Sequence, residues 1–326
     1  VYARTVPQTE RPWFHTEIRT LDLATGADEL AATFTGGWEV RPQALAPHPD
    51  GRRVAFIGPP EEVGGGRAEH NVYNKQIWLL DLVDGSFERV TTGLRYAFAG
   101  ARNLPAWRDG GRRLVVPANA GGRELLVGLD TRPDPWEAEE LPQARDVGGA
   151  WSLSPDNDWV AFTATDPVTP RSLWLQSIKG SPEELAAPDR DLLIRFEVAG
   201  VREVPFTGPG GETIEAWGYR PLGVDLETAP PASIPLIVYY YGGSSPTSRS
   251  FNTTHQFWAA NGYGVLVVNP RGAHGYGDQF ADHHAGDWGP AAAADITAAV
   301  DMLLARHPQL NPAAVGCYGG SYGGFM

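Results

Sequence analysis

The chain has 326 residues, of which 42% are hydrophobic and 20% charged, an ordinary globular composition with room for two cores. Its formal charge of −13 argues against nucleic acid or an anionic membrane surface as the main partner, because phosphate binding needs clustered lysine and arginine. No apolar run approaches the roughly 18 residues of a membrane span, and with Cys317 as the single cysteine no internal disulfide can form. The compartment is left open: a soluble cytoplasmic protein and a periplasmic or secreted one fit equally well.

Two signatures recur over the first two hundred residues. Pro49-Asp50-Gly51-Arg52-Arg53-Val54-Ala55-Phe56 reads as a tight turn entering a strand, and similar units begin at Arg108-Asp109-Gly110 and Ser154-Pro155-Asp156. A second run follows each: Gln76 to Leu82, Glu124 to Asp130 and Ser172 to Ser177. An earlier copy of that run, Glu17 to Leu23, has no turn-and-strand unit before it. Two short β elements keeping one phase over about 40 to 60 residues predict propeller blades. The alternative, a β-sandwich, gives regular strand spacing without two recurring signatures. The chain is expected to hold the tail of one blade and about three more, over residues 1–200. Pro59 to His70, with Glu61-Glu62 and Gly64-Gly65-Gly66, reads as a long surface loop whose acidic pair is a solvated tip rather than a site for a peptide amino terminus.

From about Val201 the pattern changes. Val204 to Thr207 and Thr213 to Tyr219, joined by Pro209-Gly210-Gly211, predict a hairpin. Leu236 to Tyr240 and Val265 to Val268 read as buried strands, and Asn252 as the cap of a helix ending at Asn261-Gly262. Pro290 opens a second helix with Ile296, Ala299, Val300, Leu303 and Leu304 on one face, and Pro308 stops it. This alternation predicts a doubly wound parallel sheet. Ala314 to Tyr318 is then a strand, followed by Gly319-Gly320-Ser321-Tyr322-Gly323-Gly324. That stretch fits the G-x-S-x-G turn that lifts a serine from a strand onto a helix N-terminus, the expected site of a nucleophile at the carboxyl end of a central strand. Glycine is expected at Gly319 and Gly323 because side chains there would clash. The N–H of Tyr322 is placed to donate to an oxyanion.

Over essentially its whole length, and most specifically from Leu236 onward, the chain resembles the prolyl oligopeptidase family of serine peptidases. The residues that carry the resemblance are Tyr239-Tyr240-Tyr241-Gly242-Gly243, Asn269-Pro270-Arg271-Gly272, Gly275-Tyr276-Gly277 and Gly320-Ser321-Tyr322-Gly323-Gly324-Phe325-Met326, in the family's order. The resemblance implies a multi-domain β plus α/β fold: an incomplete β-propeller over 1–200, then the N-terminal part of an α/β-hydrolase domain over 201–326, cut just after the elbow. It implies Ser321 as nucleophile, the Tyr241 hydroxyl as an oxyanion donor beside the Tyr322 N–H, and the Tyr322 ring as lining of the substrate pocket. It further implies short peptide substrates, no cofactor, no metal, and a homo-oligomer of the full-length protein as an open option.

In α/β-hydrolases the acid and the histidine follow the serine in the chain, yet only five residues follow Ser321. All eight histidines precede it; His274, His283 and His284 are the ones whose loop could approach the site. Asp282, His283, His284 and Asp287 lack a recognised metal-ligand spacing. The chain taken alone is therefore expected to be inactive. A carboxylesterase of the same fold and a non-catalytic propeller-based binding protein are the competing readings. A dinucleotide site is excluded because no Gly-x-Gly-x-x-Gly follows the strand at Val315.

Overall fold

A computed structural model of the chain describes residues 1–10, 14–35, 42–61, 71–98, 104–143, 145–178, 180–241, 245–286 and 288–326. Glu62, Gly64 to Gly66, His70, Gly242, Gly243 and Asp287, all named above, lie outside the described residues.

The first region folds in chain order into antiparallel sheets. Strands β1 (Tyr2–Pro7), β2 (Phe14–Leu21) and β3 (Asp28–Phe34) form the first, and β4 (Gln43–Pro47), β5 (Arg53–Gly58), β6 (Gln76–Asp81) and β7 (Phe87–Arg89) the second. The third contains β8 (Ala97–Phe98), β9 (Ala106–Arg108), β10 (Arg113–Ala120), β11 (Arg123–Asp130) and β12 (Glu137–Glu140). The fourth contains β13 (Asp146–Leu153), β14 (Trp159–Asp166), β15 (Thr169–Ser177) and β16 (Glu183–Ala186).

The two repeated signatures are adjacent strands of these sheets. The turns before β5, β10 and β14 hold Gly51, Gly110 and Asn157 at φ of 70°, 65° and 60°, a left-handed conformation that glycine and asparagine tolerate. In the first of these turns the Asp50 Oδ1 accepts the N–H groups of Arg52 (2.9 Å) and Arg53 (3.1 Å). The earlier copy of the second signature falls on β2. It does have a strand before it: β1 pairs with β2 from Tyr2↔Arg19 to Pro7↔Phe14.

Alternation along the inner strands buries both faces of the middle sheets. On β10, Leu114 and Val116 join Ile57, Ile77, Leu125 and Val127 against the second sheet. Val115 turns the other way and joins Leu126, Trp151 and Phe162 against the fourth. Phe34 bridges the first and second sheets, its ring edge-on to Phe56 at 5.8 Å and to Trp78 at 5.5 Å.

A short helical turn, α1 (Arg190–Leu193), precedes the second region. There β17 (Val201–Glu203), β18 (Phe206–Thr207) and β19 (Thr213–Tyr219) pair antiparallel, as the hairpin pattern predicts. Strands β20 (Ile234–Tyr239), β21 (Gly264–Asn269) and β22 (Leu310–Tyr318) follow in the order β17-β19-β21-β20-β22. β21, β20 and β22 are parallel, but β19 runs antiparallel to β21, so the sheet is mixed rather than wholly parallel. β22 stands at the end of that order, not at its centre. Helix α2 (Thr253–Ala260) is capped by Asn252, whose side chain accepts the N–H groups of Thr254 and His255. α3 (Asp278–Asp282) is a single turn, and α4 (Pro290–Arg306) begins with Pro290 as expected. Ile296, Ala299 and Leu303 of α4 pack onto Leu236, Val238, Leu266 and Val268.

One charged pair is buried in this packing. The Arg271 guanidinium donates to both oxygens of Asp295, through Nε to Oδ2 at 2.9 Å and Nη2 to Oδ1 at 2.9 Å, and its backbone N–H donates to Oδ2 at 2.9 Å. Asp295 is fully buried on α4, so the pair fastens the end of β21 to that helix. Removing one member leaves the other charge stranded. Asp295→Ala is expected to lower stability by about 3 to 5 kcal/mol, read as a shift of the guanidinium unfolding midpoint; a loss under about 1 kcal/mol would mean that water reaches the pair.

Candidate active site

The strand β22 runs parallel to β20 in a register that pairs Tyr239 with Tyr318, which brings the ends of both strands to one edge of the sheet. The chain then turns sharply into α5 (Tyr322–Phe325). Ser321 is the N-cap of that helix, at φ 51° and ψ −116°, and its side chain makes no capping hydrogen bond. A non-glycine residue in this conformation costs about 1 to 3 kcal/mol and persists only where its surroundings over-determine it. Those surroundings are backbone. A methyl on Gly319 would lie 2.4 Å from the carbonyl carbon of Gly323, and one on Gly323 would lie 2.4 Å from the Tyr240 carbonyl oxygen. Both glycines are required by contact, as the sequence predicts. Ser321 itself is exposed.

The same contact places Tyr241 beside the elbow, since the Gly323 methyl would also approach the Tyr241 Cα at 3.2 Å. Tyr241 is half-buried just past the end of β20. The N–H of Tyr322 lies in the first turn of α5. The Tyr322 ring is buried, edge-on to His284 at 4.9 Å and to Trp288 at 5.6 Å, with Phe325 at 5.8 Å. Ser321, Tyr241 and Tyr322 are thus brought together.

His283 and His284 have other partners. His283 Nε2 is 2.9 Å from Glu212 Oε1, and His284 packs on Trp288 and Tyr322. His274 is held neutral, its imidazole pushed down to about 3 by burial and by the Lys75 ammonium. Among the described residues no histidine hydrogen-bonds the Ser321 hydroxyl. Asp282 accepts the Asn71 N–H at 2.9 Å, and no group of three or more potential metal ligands is found among the described residues.

Two residues of the site region carry geometry that sequence reasoning did not assign. Asn269 is fully buried at the end of β21; its Oδ1 accepts the Thr247 N–H at 2.7 Å and its Nδ2 donates to the Thr247 carbonyl at 3.1 Å. It clamps the far limb of the loop that starts at Tyr241. Glu215, opposite Asn269 in the β19–β21 register, accepts from Asn269 Nδ2 at 3.3 Å. Its signal was a lone carboxylate inside the otherwise apolar strand Thr213–Tyr219.

A strand that turns through a strained serine into a helix, at the rim of a sheet with parallel strands, defines the nucleophile-elbow class of sites. The comparisons match part of the chain to a family. Residues 249–326 match the description of the Prolyl oligopeptidase family, and the resemblance read from the sequence is borne out. The chain is 28% identical over 269 residues to the uncharacterized peptidase YuxL of Bacillus subtilis, covering 78% of this chain and 40% of that protein. It is 31% identical over 288 residues to a probable dipeptidyl-peptidase 5 of Aspergillus terreus, covering 85% of this chain and 37% of that protein. The chain therefore spans well under half the length of these curated relatives. Among solved structures, the acylaminoacyl peptidase of Pyrococcus horikoshii superposes with a TM-score of 0.73 at 18% identity, over 100% of this chain and 49% of that one.

A buried histidine gives this region a pH dependence. His255 is 1% exposed on α2, ringed by Tyr219, Tyr239 and Tyr318, and burial pushes its imidazole down to about 4. The unfolded chain, with an ordinary histidine near 6.5, binds the proton first. His255 therefore removes stability as pH falls from about 6.5 towards 4, by roughly 2 kcal/mol between pH 7 and pH 5. Asp146, pushed up to about 6 by burial, works in the opposite sense. The difference between the wild type and His255→Phe isolates the histidine: urea unfolding should show the variant less sensitive to acid over that window, and parallel curves would refute the assignment.

Proposed function

We propose that the parent protein is a serine peptidase that hydrolyses short peptides through an acyl-enzyme on Ser321. In this reading residues 1–200 are part of a β-propeller and residues 201–326 the leading part of an α/β-hydrolase domain. The observation that carries the proposal is the exposed Ser321 at φ 51°, in a turn that no side chain at Gly319 or Gly323 could share. Support for the propeller comes from successive antiparallel sheets, of which the second and third each bury both faces against their neighbours. Support for peptide as substrate comes from the relatives, described as a peptidase and a dipeptidyl-peptidase.

In the proposed reaction the Ser321 hydroxyl oxygen attacks the scissile carbonyl carbon and loses its proton to a base. Negative charge gathers on the former carbonyl oxygen, where the Tyr322 N–H and the Tyr241 hydroxyl donate to it. The amine leaves with a proton, and water then releases the acyl group. A preplaced donor at the oxyanion is worth about 3 to 4 kcal/mol in rate. Because His283 is bonded to Glu212, His284 is packed among aromatic rings and His274 is buried and neutral, the base and its orienting acid are assigned to the parent protein outside these 326 residues. A carboxylesterase would use the same elbow; bladed sheets beside the site favour the peptidase by restricting access to short chains.

The full-length protein is expected to hydrolyse short peptide anilides. Ser321→Ala should lower kcat by about 10⁴-fold or more, and Tyr241→Phe by about 10²-fold with KM little changed. The 326-residue chain alone should show no turnover. Full activity in Ser321→Ala, or turnover by the isolated chain that Ser321→Ala abolishes, would overturn the corresponding assignment.

A further inference from the structure

Where the two regions meet, one cation is left without a counter-charge. The arginines around this contact are paired: Arg89 with Asp278 at 2.8 Å, Arg271 with Asp295 at 2.9 Å and Arg249 with Glu203 at 2.6 Å. Lys75, one of two lysines in a chain of formal charge −13, has no hydrogen bond or ion pair for its ammonium among the described residues. Its backbone is held from both sides. The Lys75 carbonyl accepts the Phe98 N–H at 2.9 Å, and the preceding residue, Asn74, reaches across to the second region. The Asn74 side chain accepts the Gly275 N–H at 3.2 Å and donates to Asp278 at 2.7 Å. The Asp278 carboxylate is thus taken by Asn74 and Arg89 and is not available to Lys75.

His274 stands across the same contact, one residue before Gly275. Its Nδ1 is buried and has no hydrogen-bond partner among the described residues. Lys75 is close enough for its charge to act on the ring and help keep it neutral. A neutral imidazole can carry its proton on Nδ1 and donate from there. An ammonium from the first region and a ring nitrogen from the second therefore stand together, and each lacks a partner. Partly desolvated groups of this kind cost free energy until one arrives. A carboxylate answers both, because its two oxygens accept from two donors and its charge offsets that of the ammonium. The segment carrying His274 leaves β21 at the carboxyl edge of the parallel strands, the edge at which β22 turns into Ser321.

We propose that Lys75 and His274 form a subsite, built across the two regions, for a carboxylate of the substrate. The proposal takes its ligand from the peptidase reading: a short peptide brings a carboxylate either at its C-terminus or on an acidic side chain. An ion pair with Lys75 and a hydrogen bond from His274 would then hold one part of the peptide while Ser321 meets another.

The test uses the full-length protein carrying Ser321→Ala, so that calorimetry reads binding without turnover. Three peptides of one sequence are compared: a free C-terminal carboxylate, a C-terminal amide, and the amide with an internal glutamine replaced by glutamate. At least one carboxylate-bearing peptide should bind about tenfold or more tightly than the plain amide, and which one does so names the source. Adding Lys75→Met should abolish the preference, and adding His274→Phe should weaken it by about threefold. The urea midpoint of Lys75→Met should hold or rise, because an unpaired charge has been removed. Equal binding of the three peptides, or a preference that survives Lys75→Met, would overturn the proposal. So would a lowered midpoint, which would make the ammonium a structural partner. If Ser321-containing protein hydrolyses none of the peptides while the Lys75-dependent preference holds, the peptidase reading falls and the subsite stands. Hydrolysis without any preference removes the subsite alone.

Discussion

The close approach of Gly319 to Gly323 is the constraint on which the site depends. Backbone packed against backbone forces the residue between them into a left-handed conformation that serine does not choose. The strain is carried by the packing on either side. β22 is fixed by its parallel register with β20, and Gly323 is seated on the carbonyl of Tyr240 at the end of the same β20. The elbow and Tyr241 are therefore placed by one strand. A side chain at either glycine would separate them.

A second constraint lies between the two regions. Their contact is polar: Asn71 donates to the carbonyls of Gly272 and Ala281, Asn74 donates to Asp278 at 2.7 Å, and Arg89 donates to Asp278 at 2.8 Å. Asn71 and Asn74 are buried, so each depends on a partner in the other region to satisfy its amide. A polar contact can part and reform in water, since both sides find solvent partners, whereas an apolar one of this size would resist opening. Glu215 lies within this contact, and its partner Asn269 holds the backbone of Thr247.

The elbow was legible because its chemistry is local. Gly-x-Ser-x-Gly after a short apolar run prescribes a backbone path that few other residues follow, and the caps of α2 and α4 were equally plain in Asn252 and Pro290. The repeated turns announced β5, β10 and β14 through their aspartates. What the pattern did not carry was direction and distance. An apolar strand reads the same whether its neighbour runs with it or against it, so the antiparallel seat of β19 beside β21 was not visible. The residues of β1 are largely exposed and gave little alternation. Glu215 and Asn71 were passed over because their partners stand as much as 93 and 211 residues away in the chain, and no local signal encodes such a contact.

The central claim is that one oxygen, the Ser321 hydroxyl, forms the bond to substrate. An organophosphorus reagent such as diisopropyl fluorophosphate reacts with an activated serine and leaves a stable phosphoryl adduct, which peptide mass spectrometry of the full-length protein would locate. The account predicts a single adduct on the peptide containing Gly319 to Gly324, at Ser321. An adduct on another residue, with Ser321 unmodified, would contradict it.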